Sequence, residues 1–410
     1  MGNPGCTDPV ANSPLPGNTK QRILFVDDEE LILNLLRIAL APRREDWDTA
    51  FASSGAKALS LLDQTPFDVV VSDMCMPGMN GATLLNEVHK RRPSSIRIIL
   101  SGYSDLDLVM KCVGVTHQFL SKPFDLHVFY QTLNRIGLLR ERLRSPELRH
   151  WVNRQRALPT LPAVSASLSQ ALQDVECPLE RIGAIINTDP GLAAKILQLA
   201  NSPFFGFARE VTNPLDAVML LGVATIRSLV LAVSLFGAFE HAPMQRDVLS
   251  RVWHHSVRVG EYAQTIARLE NANEFVAQLA FTGGLLHDLA KLILARDTSG
   301  QHSVGLPPEV MRSAHADVGA YQLDLWGLPP SLVEVVAFHH CPSSVHDIAF
   351  SAVTAVHAAD ALAHEIDEPR PTSDPPRLDL EYLHQLNLEP RVKVWLKALE
   401  ENGSSESPAN

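Results

Sequence analysis

A chain of 410 residues, 46% hydrophobic and 20% charged, is long enough for two or three domains with real cores. Its net charge of -11 argues against general affinity for nucleic acid. Five cysteines (Cys6, Cys75, Cys112, Cys177, Cys341) are scattered without a CxxC pair, which points to neither a disulfide framework nor a zinc knuckle. Residues 1–20 are rich in Pro, Gly and Asn and read as a disordered N-terminus rather than a signal peptide, in keeping with a cytoplasmic chain.

In the first third, four apolar runs each end in a polar or charged residue. Ile23-Leu24-Phe25-Val26 ends in Asp27-Asp28, and Val69-Val70-Val71-Ser72 ends in Asp73. Ile98-Ile99-Leu100 ends in Ser101-Gly102, and Phe119-Leu120 leads to Lys122-Pro123. If the runs are strands of an open parallel α/β sheet, these residues gather at its carboxyl edge, where ligands bind. Three carboxylates, a hydroxyl and an ammonium there suit a hard divalent cation and a phosphoryl group. Mg²⁺ takes oxygen ligands and keeps several waters, so one or two carboxylates hold it. Asp73 is the candidate nucleophile, because a carboxylate can form an acyl phosphate. Asp27 and Asp28 would hold the metal with Asp73, Lys122 would pair with the phosphate, and Ser101 would donate to it.

Residues 21–138, with these features and the loop Asp73-x-x-Met76-Pro77-Gly78-Met79-x-Gly81, resemble the receiver domain of bacterial two-component response regulators. The motif runs on through Lys122-Pro123-Phe124. The resemblance implies a flavodoxin-like, doubly wound α/β fold with a five-stranded parallel sheet. It implies phosphorylation of Asp73 by a partner histidine kinase, with Mg²⁺ as cofactor. It places Phe119 at the aromatic switch position and gives the backbone carbonyl of Cys75 to the metal.

Leu126 to Leu143 has helical spacing, and residues 139–157 form a linker. Between Arg135 and Arg156 lie seven Arg and two Glu. This reads as a solvated amphipathic helix broken near Pro146, with a basic docking surface for an acidic partner as the sharper alternative. At Leu158-Pro159-Thr160-Leu161-Pro162 the composition shifts, and a second, almost wholly helical domain runs over 158–400. A polar tail, 401–410, reads as disordered.

Apolar periodicity predicts helices over Ala163–Val175, Leu179–Asn187, Gly191–Leu199, Ala224–Phe239, Val248–Arg268, Glu274–Ala295, His315–Leu325, Ser331–Phe338 and Ile348–Ala363. Ala217 to Phe239 holds one charge, Arg227, but Gly222 interrupts it and Thr225 has N-cap character. Two buried helices meeting at a turn are expected there, not a membrane span.

Metal-ligand types recur in this half at His255, His287-Asp288, His315, His339-His340 and Asp360. Adjacent His and Asp diverge by about a hundred degrees on a helix and can serve one metal or two. Imidazole with carboxylate suits Fe, Mn or Zn, which would activate water against a phosphorus centre. His241, His302, His346 and His384 are assigned no such role.

The ordered set resembles the HD superfamily of metal-dependent phosphohydrolases and, more closely, its HDOD branch. Carrying residues include Leu158-Pro159-x-Leu161-Pro162, Asp189-Pro190-x-Leu192, Leu199-Ala200-Asn201-Ser202, Trp253-x-His255-Ser256, Gly284-Leu285-Leu286-His287-Asp288 and Trp326-Gly327-Leu328-Pro329. The resemblance implies a helical output module acting through protein contacts, either alone or as a homodimer. Lys291 completes an HD-x-x-K pattern and could steady a phosphate. After His339-His340, however, comes Cys341-Pro342-Ser343, a departure from the Gly-Tyr-Pro segment of the related cyclic-di-GMP phosphodiesterases.

Two readings stand. One is a response regulator whose helical domain contacts an unidentified downstream protein. The other is a phosphorylation-gated metal hydrolase acting on a nucleotide or cyclic dinucleotide. Direct DNA binding finds no basic recognition helix.

Overall fold

The computed structural model describes residues 20–404 apart from 103–105, 124, 144, 155–157, 159, 175–176, 237–242, 298–313, 346–348 and 368–377. The expectations for both termini and for Phe124, His241, His302 and His346 fall outside the described residues.

Five strands form one parallel sheet in the order β2-β1-β3-β4-β5. They are β1 (Gln21–Val26), β2 (Trp47–Ala52), β3 (Val69–Asp73), β4 (Ile96–Ser101) and β5 (Gln118–Ser121). The apolar runs of β1, β3 and β4 are buried because helices cover both faces of the sheet. Those helices are α1 (Glu30–Leu40), α2 (Gly55–Gln64), α3 (Gly81–Arg91), α4 (Leu106–Cys112) and α5 (Leu126–Arg142). Side-chain caps start several of them. Ser54 accepts from the Lys57 N–H before α2, Asn80 from Thr83 before α3, and Asp125 from His127 before α5.

The strand order reverses between β1 and β3, and that switch point puts Asp27, Asp28 and Asp73 at one edge. Gly81 is required there: a Cβ on it would lie 2.2 Å from the Asp73 carbonyl oxygen.

The expected solvated linker differs from what is observed. A second helix, α6 (Pro146–Arg154), follows α5 with Pro146 at its start. Leu143, Leu148, Trp151 and Val152 are each at most 5% exposed, so the apolar face of this stretch is buried. The charge count hid this face, because its apolar residues lie among the arginines in sequence. Asn153 of α6 donates to the Ser94 carbonyl and accepts from the Tyr321 hydroxyl. Its own carbonyl accepts from the buried Arg97 guanidinium of β4.

The rest is helical: α7 (Pro162–Gln173), α8 (Leu179–Ile186), α9 (Pro190–Ala200), α10 (Pro214–Phe236), α11 (Pro243–Leu269), α12 (Glu274–Leu286), α13 (Leu289–Asp297), α14 (His315–Leu325), α15 (Pro330–Phe338), α16 (Ala352–Asp367), α17 (Leu380–Gln385) and α18 (Val392–Ser404). Asp189, wholly buried, caps α9 through the Leu192 N–H and ties in the Leu161 N–H. Gly222 breaks α10 with φ 76°, as expected for two helices meeting at a turn. Among the described residues no helix is long and apolar enough to cross a membrane.

One predicted helix is divided. Glu274–Ala295 becomes α12 and α13, with a turn at His287-Asp288. Periodicity cannot see this turn, since apolar residues continue on both sides of it.

The two domains meet along α4, β5 and α5. Gln118 Nε2 donates to the Leu325 carbonyl at 2.8 Å, and Arg135 pairs with Asp324 and donates to the Leu328 carbonyl. From the helical side, Gln198 donates to the His117 carbonyl at 2.9 Å. Lys195 lies 4.0 Å above the Trp326 ring and reaches the Val113 carbonyl.

Burial lowers the Lys195 pKa to about 7, and Arg97 adds to the effect. The unfolded chain therefore holds that proton at pH values where the folded chain does not, and stability rises with pH between about 7 and the ordinary lysine value. Urea unfolding between pH 7 and 9 should show this slope, and Lys195→Met should flatten it. An identical slope in the variant would exclude Lys195 as its source. A double-mutant cycle of Arg135→Ala and Asp324→Ala should give a coupling of about 1.5–3 kcal/mol, as for hydrogen bonds to charged groups. Additive effects would mean that the pair holds nothing together.

Candidate functional site

The acidic pocket lies at the carboxyl edge of the sheet. Asp27 and Asp73 are buried, while Asp28 is exposed, and their carboxylate oxygens lie within 4.8 Å of one another. Lys122 Nζ stands 2.9 Å from Asp27 Oδ2 and 2.5 Å from Asp73 Oδ1. The other oxygen of Asp73 accepts from the Cys75 N–H at 3.0 Å. Burial raises the Asp73 pKa, against the opposing pull of Lys122. Burial disfavours the Lys122 ammonium, but Asp73 and Asp27 outweigh it and raise its pKa.

Three carboxylates against one ammonium leave the pocket short of positive charge, which fits a divalent cation held by Asp27, Asp28 and Asp73. Ser101 and Phe119 are fully buried at the ends of neighbouring strands, where Ile99 pairs with Phe119 and Ser101 with Ser121. Thus Asp27, Asp28, Asp73, Ser101 and Lys122 come to one edge of the sheet. For Cys75 the contact seen is its N–H on Asp73.

A second cluster forms where α11, α12, α14, α15 and α16 meet. Glycines allow the approach: a Cβ on Gly284 would lie 2.8 Å from Gly260 Cα, so α11 and α12 pack backbone to backbone. His255 then reaches Asp360 Oδ1 at 3.0 Å, and the His255 and His287 rings lie 5.3 Å apart. His287 Nε2 is 3.3 Å from Asp288 and 3.6 Å from Asp360. His315 Nε2 is 3.4 Å from Asp288 and 2.9 Å from His340 Nε2. Lys291 Nζ holds Asp288 at 2.7 Å.

All of the expected residues His255, His287, Asp288, His315, His339, His340, Asp360 and Lys291 are therefore assembled in one cluster. The structure adds His364, whose Nε2 is 3.7 Å from Asp360. Its signal was the Asp360-x-x-x-His364 spacing, which puts both on one helix face. It also adds His357, buried behind the cluster with Nδ1 donating to the His339 carbonyl. His384 is exposed and pairs with Glu389 instead.

The ring orientations matter. His287 Nδ1 bonds to the Gly284 carbonyl and His339 Nδ1 to the Val336 carbonyl, which turns each Nε2 inward. Those two Nε2 atoms and Asp288 Oδ1 are buried and make no well-directed hydrogen bond. Unsatisfied buried polar atoms are costly, so a group that satisfies them is expected. Cis ligands about 2.1 Å from a metal stand about 3 Å apart, close to the His315–His340 separation of 2.9 Å.

Burial drives His340 down to about 4 and His339 well below its usual value, leaving their lone pairs available. Burial also opposes a proton on His287, yet Asp288 and Asp360 outweigh it and raise the pKa to about 10. That proton stands where a cation would balance the carboxylates. The donor set thus fits one or two divalent transition metals.

A receiver fold joined to a helical domain with HD-type residues defines the class, and comparison with known proteins agrees. The response regulator receiver domain model matches residues 23–134, and the HDOD domain model matches residues 158–342. The chain belongs to the response regulators that carry a receiver domain followed by an HDOD domain. An uncharacterized protein of Treponema pallidum is 23% identical, over 62% of this chain and 51% of its own length. The response regulator protein PilR of Pseudomonas aeruginosa is 32% identical over 37% of this chain and 33% of its own. The chain thus spans about half or less of the length of these curated relatives. Among solved structures, the MmoQ response regulator of Methylococcus capsulatus is 22% identical with a TM-score of 0.45, covering 60% of this chain and 98% of that one. The receiver domain of an HD domain-containing protein from Pseudomonas fluorescens is 36% identical with a TM-score of 0.28, covering 29% and 94%.

Zinc titrated into metal-free protein, with Mg²⁺ already present, should be taken up stoichiometrically and should release protons near pH 8, because the metal displaces the His287 proton. The His287→Ala/Asp288→Ala variant should do neither. Uptake without proton release would overturn the protonated form of His287.

Proposed function

We propose that this chain is a phosphorylation-controlled switch of a two-component pathway. Asp73 takes a phosphoryl group from a histidine kinase, with Mg²⁺ held by Asp27, Asp28 and Asp73 and by the Cys75 carbonyl. Mg²⁺ supplies charge neutralisation for the transferring group. Lys122, now shared by two carboxylates, turns to the phosphate, and Ser101 donates its hydroxyl to it. The HDOD domain delivers the output through contact with another protein.

The observation that carries this reading is the docking of α4, β5 and α5 on the HDOD domain. The same strand pair that places Ser101 and Phe119 also places Gln118 on the Leu325 carbonyl. Phosphorylation adds about -1.5 to -2 charges at Asp73, and a shift of Ser101 or Phe119 then disturbs this seam.

A second reading is favoured by the inward-facing Nε2 atoms of His287 and His339, which are buried and make no hydrogen bond. In it the HDOD domain holds Fe, Mn or Zn and hydrolyses a phosphoester of nucleotide type. The metal would supply an activated water, and Lys291 at the rim would meet the phosphate. Metal binding alone already accounts for those atoms. The turn Pro342–Ser344, which follows His340 and Cys341, does not favour a cyclic dinucleotide in particular.

Asp73→Asn should accept no phosphate from acetyl phosphate. Lys122→Ala should fold and lose its response to the phosphodonor. In hydrogen exchange, beryllofluoride should deprotect β5, α6 and α14 in the wild type and not in Asp73→Asn. Unchanged protection of all three segments in the wild type would overturn the seam as the route of output.

A further inference from the structure

Helix α14 touches both sites. Its first residue, His315, faces Asp288 and His340 in the histidine cluster. Its C-terminal half carries Tyr321, which donates to Asn153 of α6, and Asp324, which pairs with Arg135 of α5. The Leu325 carbonyl at its end accepts from Gln118 of β5. Eleven helical residues span about 16 Å, so a single rigid element joins the cluster to the receiver seam.

The helix has little room to bend or slide by itself. Nine of its eleven residues are buried. A Cβ on Gly319 would lie 3.1 Å from Val336 on α15 and 3.9 Å from Ala290 on α13, so α14 is wedged between the helices that flank the cluster. Packed interiors of this kind pass on displacements rather than absorb them.

We propose that α14 is a strut that makes cation occupancy of the histidine cluster and phosphorylation of Asp73 depend on each other. This rests on the reading of the cluster as a metal centre. With the seam docked, Gln118 and Arg135 hold the far end of α14, and His315 stands in ligand position beside His340. Loosening the seam frees that end, and His315 loses its placement. Phosphorylation therefore weakens cation binding. By linkage, a bound cation opposes the phosphorylated state to the same degree.

The test uses the full chain with Mg²⁺ saturating the receiver pocket. Zn²⁺ affinity is measured by competition with a chromophoric chelator, with and without beryllofluoride. Beryllofluoride should weaken Zn²⁺ binding at least about fivefold, the lower range of allosteric coupling. The Gln118→Ala/Arg135→Ala variant, altered only at the seam, should bind Zn²⁺ with little or no response to beryllofluoride.

Stoichiometric Zn²⁺ binding that beryllofluoride leaves unchanged would overturn the strut while sparing the metal centre. An undiminished response in the seam variant would do the same. A response that persists in Asp73→Asn would show that the effect does not start at the receiver, and would overturn the proposal too. If Zn²⁺ uptake is absent, or is not lost in His287→Ala/Asp288→Ala, the metal reading falls and the proposal falls with it.

Discussion

Buried carbonyl groups must find donors, and in this molecule the two domains satisfy each other's. The segment between α4 and β5 ends with the carbonyls of Val113, Thr116 and His117 facing the helical domain, where Lys195 and Gln198 reach them. The C-terminal end of α14 turns the carbonyls of Leu325 and Leu328 toward the receiver, where Gln118 and Arg135 reach them. A helix end leaves its last carbonyls without partners inside the helix. Separation would need water to replace these bonds one by one. The seam is thus specific in register, since each donor meets a carbonyl at one position. It can also open, since net protein hydrogen bonds are worth only about 1 kcal/mol each.

The hydrogen bonds act beside apolar packing in the same joint, where Leu143, Leu148, Trp151 and Val152 are buried. The directed bonds are the part of the joint most sensitive to a small displacement at Ser101 or Phe119, because they fail once the geometry is off. Arg97 extends the same logic inward. Its guanidinium is fully buried and collects the carbonyls of Pro93, Ser95, Val115 and Asn153. It therefore binds the start of β4 to α6, while the other end of β4 carries Ser101. The stretch read from composition as a basic linker has its apolar face, with Trp151, in this joint.

The acidic pocket was fully legible in the sequence because each of its residues ends a strand, and strand ends converge on one edge of a parallel sheet. Strand β2 was harder to read. It lies at the sheet edge, and its residues Trp47–Ala52 mix charged, small and aromatic side chains in place of a continuous apolar run. The cluster ligands were legible as residue types, but their meeting depends on close helix contacts made by Gly260 and Gly284, which periodicity does not report. The α4-β5-α5 face of the receiver was an expected contact with the linker or the helical domain, but the residues of the seam were not legible. Its residues are single Gln, Arg and Lys side chains whose carbonyl partners lie 81 to 207 residues away, and a carbonyl leaves no mark in a sequence.

The two sites obey one rule of charge and differ in access. Each gathers more carboxylate than its lysine alone can balance, and that charge pattern suits a cation at both. In the receiver pocket Asp28 is exposed and Lys122 is 24% exposed, which leaves a rim that a large phosphodonor protein can approach. In the cluster His287, His339, Asp288 and Asp360 are sealed, and the open side is formed by His340, Lys291 and His255, which are partly exposed. That opening is faced by imidazoles and one ammonium, with the carboxylates behind them. The helix that closes one side of it, α14, is also the one the receiver grips, so access to the cluster and the state of the seam meet in a single element.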